Sequence, residues 1–96
     1  MSINEILEPH RKEICEVASR HGVMRLRVFG SVGRGDARAD SDIDLLVDLA
    51  PDRSLLDVIA VKQDLEDLLG RRVDVLTPMA ISPYLREQVL REAVPF

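Results

Sequence analysis

The chain is predicted to be a small α/β protein, and three observations predict it. Its 96 residues are enough for one domain, expected to span residues 1–96. Apolar residues recur with a helical period in some stretches and with a period of two in others. Caps, glycines and prolines fall where one pattern gives way to the next. The order is helix, strand, short helix, strand, helix, strand, helix.

Ser2 with Glu5 has the form of a capping box, and Ile3, Ile6, Leu7, Ile14, Val17 and Ala18 follow at helical spacing. This predicts a helix from about Ser2 to Arg20, with Pro9 as an alternative start and His10 to Arg20 as the uninterrupted part. Gly22 stops it. Met24 to Gly30 alternates, Arg25 and Arg27 against Leu26 and Val28, and reads as a strand. A helical turn from Val32 to about Ala37 and a polar loop from Arg38 to Ser41 lead into a strand from Asp42 to Leu49. Ser54 with Asp57 opens an amphipathic helix on Leu55, Val58, Ile59, Leu65, Leu68 and Leu69 that ends at Gly70, its polar side carrying Lys62, Asp64, Glu66 and Asp67. Arg72 to Leu76 alternates as a third strand. Ser82-Pro83 starts a last helix to about Ala93, whose stripe of Tyr84, Leu85, Val89, Leu90, Ala93 and Val94 is expected to close the core. Left exposed, that stripe and Phe96 would suit a partner or self-association.

Asp and Glu outnumber Lys and Arg by 17 to 13, a formal net charge of −4, which argues against general nucleic-acid binding. Phe29, Tyr84 and Phe96 are the only aromatic residues, too few to stack successive bases. No membrane span or secretion signal is read, and the single cysteine, Cys15, lacks a partner, so a cytoplasmic location is expected, with Cys15 packing a helix. His10 and His21 read as surface or helix-end residues.

The chemistry gathers between Gly30 and Asp44. On a strand, Asp42 and Asp44 point the same way, and Ile43, Leu45 and Val47 point into a core. Two carboxylates so placed repel unless a divalent cation lies between them. Asp74 stands alone between Val73 and Val75. By itself it also reads as a solvent-facing charge on an edge strand; beside Asp42 and Asp44 it becomes a third metal ligand. Three carboxylates on two neighbouring strands can hold two Mg²⁺ ions about 3.5–4 Å apart, the arrangement for in-line displacement at phosphorus, with Asp74 on the ion that activates the incoming hydroxyl. Gly30 lets the backbone approach a phosphate, and the Ser31 hydroxyl and following amides can donate to it. Gly-Ser alone is equally a plain strand-to-helix turn, and Arg34 reads either as a neutraliser of polyphosphate charge or as a surface arginine.

Gly30-Ser31, ten intervening residues and then Asp42-Ile43-Asp44, with Arg34-Gly35 between, resemble the signature of the DNA polymerase beta superfamily of nucleotidyltransferases. Over nearly the whole chain the similarity is to the minimal nucleotidyltransferase (MNT, MntA-like) branch, antitoxins encoded beside HEPN-domain ribonuclease toxins. The resemblance implies a nucleotidyltransferase fold, a small mixed sheet of at least three strands packed by helices. It also implies Mg²⁺-dependent transfer of AMP from ATP, or of another NMP from its nucleoside triphosphate, to a hydroxyl, typically tyrosine, of the cognate toxin. Gly30 and Ser31 match the phosphate-binding pair, Asp42 and Asp44 the metal pair, and Asp74 the third carboxylate. Val32 and Gly33 stand where the family commonly has a bulkier or charged residue.

Two other functions compete. One is an antitoxin that silences its partner by covering it, with little or no catalysis. A steric inhibitor gains nothing, however, from three like charges kept together. The other is a free-standing enzyme acting on a small molecule, but no acceptor domain is read in this chain. A hetero-oligomer with the toxin is expected, and self-association is left open.

Overall fold

The computed structural model describes residues 1–96. Ile3–Ile6 form a single turn, α1, and Arg11–Arg20 form α2, with a 3-10 turn at Glu8–His10 between them. The helix expected from Ser2 is thus broken, because Pro9 lacks the N–H that an unbroken helix needs and its ring crowds the preceding turn. Ser2 does not cap α1 either; its hydroxyl turns to the Glu5 carboxylate at 3.3 Å.

The remaining elements are β1 (Val23–Phe29), α3 (Gly30–Arg34), β2 (Ile43–Leu49), α4 (Leu55–Leu69), β3 (Val73–Leu76), α5 (Pro83–Glu92) and β4 (Val94–Pro95), with a second 3-10 turn at Pro78–Ala80. The sheet order is β3-β2-β1-β4. β1 runs antiparallel to β2 and β4, and β2 runs parallel to β3, so the sheet is mixed. β4 has no signal in the sequence, since two residues carry no periodicity. The short helix begins at Gly30 rather than Val32, and β2 begins at Ile43, leaving Asp42 at the end of the loop.

Alternation along the strands builds the core. Val28, Ile43, Leu45, Val47, Val73 and Val75 share one sheet face and are buried, covered by Ile14 and Val17 of α2 and by Val58, Val61 and Leu65 of α4. Burial of each such side chain contributes about 1.5–3 kcal/mol. The capping box of α4 is complete. The Ser54 hydroxyl accepts from the Leu56 N–H at 3.3 Å, the Asp57 carboxylate accepts from the Ser54 N–H at 2.9 Å, and Gly70 closes the helix in the left-handed region.

Three expectations about apolar residues are corrected. Leu55 and Ile59 face solvent, because the face of α4 that meets the core is the one carrying Val58, Val61 and Leu65. Cys15 is exposed rather than packed. The α5 stripe does not close the core: no residue of that helix is buried, and Tyr84 is 95% exposed. Periodicity marks an apolar face without saying what covers it. On the sheet face opposite the main core, Leu46 is fully buried yet lies outside the core cluster, and the Pro78–Ala80 turn lies close to β2. No helix is long and apolar enough to cross a membrane.

Candidate functional site

The end of β1 and the starts of β2 and β3 lie side by side. Phe29 stands opposite Asp44 in the antiparallel register, and Asp44 stands opposite Asp74 in the parallel one. Because Ile43, Leu45, Val73 and Val75 face the core, Asp44 and Asp74 project from the other face. Asp42 ends a tied loop: the Arg38 N–H donates to the Ser41 hydroxyl at 2.8 Å, and Arg71 donates to the Arg38 carbonyl at 3.2 Å. The pairing of β2 with β3 starts one residue later, where the Ile43 N–H donates to the Arg72 carbonyl at 2.9 Å.

Gly30 turns the chain from β1 into α3 with φ +68°, and a Cβ at this position would occupy the space of the Asp44 carboxylate. The backbone of the turn is therefore laid directly on that carboxylate. Ser31 follows, half-buried, and the fully buried Val32 anchors the turn in the core. Gly33 approaches β1 so closely that a Cβ would stand 2.9 Å from the Val28 carbonyl oxygen. Core packing thus accounts for the small residues Val32 and Gly33. The Gly35 and Asp36 N–H groups close the turn on the Val32 and Ser31 carbonyls at 3.2 and 3.0 Å. Arg34, on the outside, reaches Asp36 at 3.5 Å.

Burial is the first cause that pushes the Asp44 carboxyl up to about 6. The charge of Asp74, the charge of Asp42 and a hydrogen bond with Asp74 add to it, while Arg34 opposes it. Asp44 and Asp74 are neighbours across the parallel pairing of β2 with β3, and the charge of Asp42 is also felt at Asp44. No three acidic, histidine or cysteine side chains converge at metal-ligand spacing in this conformation. The oxygen-only donors and the unrelieved repulsion nevertheless fit a hard divalent cation, which removes the reason for protonating Asp44. A cavity of about 330 Å³ opens on the other side of the turn, walled by Gly33, Arg34 and Gly35 with Asn4 and Arg11; none of the three aspartates lines it.

His21 bonds Asp64 at 2.7 Å at the end of α2, away from these carboxylates in the fold. Lys62 and Glu66, which the sequence presents only as the polar side of α4, both reach the backbone of Val73. Their i, i+4 spacing is legible; their contact with the strand is not.

A family model described as a nucleotidyltransferase domain matches residues 7–95. A protein of Thermococcus cleftensis named protein adenylyltransferase MntA is 45% identical over 92 residues, which are 96% of this chain and 90% of that protein. A Methanocaldococcus jannaschii protein, provisionally named a protein adenylyltransferase, is 44% identical over 94 residues, 98% of this chain and 97% of its own. Among solved structures, one provisionally called a minimal nucleotidyltransferase superimposes with a TM-score of 0.86 at 51% identity, covering 100% of this chain and 97% of that one. A toxin–antitoxin structure with AMP-PNP superimposes at 0.75, covering 90% of this chain and 71% of that one; at 23% identity the likeness is one of fold.

Proposed function

This chain belongs to the nucleotidyltransferase domain family, and on that premise we propose that residues 1–96 form one catalytic domain that transfers AMP from ATP to a hydroxyl of a partner protein. The partner is a toxin, of the HEPN ribonuclease class by the resemblance of the signature, and the acceptor is a tyrosine. The observation that carries the proposal is the row of Asp74 and Asp44 on one sheet face, with the Gly30 turn laid against Asp44. The names of the two relatives support adenylyl transfer to protein, and the toxin–antitoxin structure with AMP-PNP supports an adenine nucleotide and a toxin partner.

Each residue has a role in this scheme. The Gly30 backbone and the Ser31 hydroxyl bind the triphosphate at the start of α3, where backbone N–H groups are free to donate. Arg34 balances charge on the phosphates from the solvent side. Asp42, Asp44 and Asp74 would hold two magnesium ions, which when bound polarise the phosphoryl oxygens and lower the pKa of the incoming hydroxyl. Asp74, exposed at the sheet edge, is placed to accept the proton of that hydroxyl. The hydroxyl oxygen bonds to the α-phosphorus as the bond to the β-phosphate oxygen breaks, and pyrophosphate leaves.

One observation favours a second function, silencing of the toxin by covering it: Met79, Tyr84 and Leu85, close in sequence, are all exposed apolar side chains. Label position separates the two. With purified chain, toxin and Mg²⁺, ATP labelled at the α-phosphate leaves label on the toxin, and ATP labelled at the γ-phosphate leaves none. Binding without label from either selects the steric function.

A further inference from the structure

β3 is an edge strand of four residues with a neighbour on one side only, a setting in which backbone groups are usually left to water and the strand frays. Asp74 must nevertheless stay opposite Asp44, a like charge that pushes it away. The Ile43 N–H bonds the Arg72 carbonyl, so by alternation the backbone groups of Val73 point to the open side. There α4 supplies what a missing strand would. The Val73 N–H donates to Glu66 Oε2 at 3.0 Å, the Val73 carbonyl accepts from Lys62 Nζ at 2.7 Å, and Lys62 Nζ also donates to the same Glu66 oxygen at 3.2 Å. The ring is closed, with both backbone groups of Val73 and both charges satisfied. Charge-assisted bonds of this kind are among the stronger ones available to a side chain. The Val73 side chain is fully buried beneath, so the residue before Asp74 is fixed from two directions.

We propose that Lys62 and Glu66 are positioning residues which, by holding the backbone of Val73, keep Asp74 against Asp44 where a divalent cation and the acceptor hydroxyl are received. The proposal rests on the nucleotidyl-transfer function above. Neither side chain touches the reacting groups; both act through β3. The carboxyl of Glu66 lies below its usual range, first because of the bond from Val73 and then because of Lys62, as a closed ring requires.

The test compares wild type with Glu66→Ala and Lys62→Met, and with Glu66→Gln and Lys62→Arg, which keep an acceptor or a donor for Val73. In the metal-free protein, the Val73 and Asp74 amides of the first two variants should exchange with solvent on the order of 10- to 100-fold faster. Their Mn²⁺ affinity by calorimetry should fall by a similar factor. In the transfer assay kcat should fall with them while KM for ATP stays near wild type, and Glu66→Gln and Lys62→Arg should recover most of each loss. Wild-type exchange and Mn²⁺ affinity in Glu66→Ala and Lys62→Met would overturn the proposal. Both side chains are partly exposed, so folding is expected to survive; should one variant unfold, the other decides. A wild type that binds Mn²⁺ but labels no partner removes the transfer function alone, and exchange with Mn²⁺ binding still judges the positioning role.

Discussion

The carboxylate of Asp44 occupies the space in which a Cβ on Gly30 would stand, and Gly30 holds a positive φ of 68°. One glycine thus meets two demands, a left-handed backbone and close contact between the turn proposed to bind phosphate and the carboxylate proposed to bind metal. Gly30→Ala should destabilise the fold by about 1–3 kcal/mol in urea unfolding and abolish nucleotide transfer. Normal transfer by this variant would detach the turn from the site.

Metal-free protein should become less stable as pH rises toward neutrality. The folded-state pKa of Asp44 is raised from 3.8 to about 6, so its contribution is fully present below 3.8, is lost as pH rises through about 6, and is level above that. Asp57 and Glu66 act with the opposite sign. Both are lowered, so their contributions are present above the ordinary values of 3.8 and 4.5 and are lost in acid. Thermal melts in chelator from pH 5 to 8 should therefore fall through pH 6, and Asp44→Asn should flatten that fall and be the more stable protein at pH 8. Added Mg²⁺ should remove most of the difference in wild type.

Ser54→Ala should lose about 1 kcal/mol of stability, because it removes the acceptor for the Leu56 N–H at the start of α4, and should leave kcat unchanged. Chemical denaturation beside the transfer assay checks both halves.

Tyr84→Ser and Leu85→Ser should change stability by no more than about 0.5 kcal/mol, since neither side chain packs on the core. If that surface receives the toxin, the same substitutions weaken the complex in calorimetry while the melting temperature holds.

The parts of this site that could be read from the sequence are those whose side chains obey alternation. Ile43, Leu45 and Val47 went inward, and Val73 and Val75 placed Asp74 on the face that Asp44 shares. The register that sets Asp44 opposite Asp74 was not legible, because it depends on how a parallel crossover closes in space. The same is true of the bonds from Lys62 and Glu66 to Val73, which join residues 11 and 7 positions apart through the fold. The last helix differs for another reason: an apolar stripe does not say what covers it, and Tyr84 and Leu85 are exposed in this chain.

The most direct test of the central claim is the intact mass of the toxin, taken as the product of the neighbouring gene, after co-expression with wild type and with a variant carrying both Asp42→Ala and Asp44→Ala. Whole AMP units on the toxin beside the wild type, and none beside the variant, are predicted. An unmodified toxin bound tightly by the wild type, or AMP added equally by the variant, would contradict it.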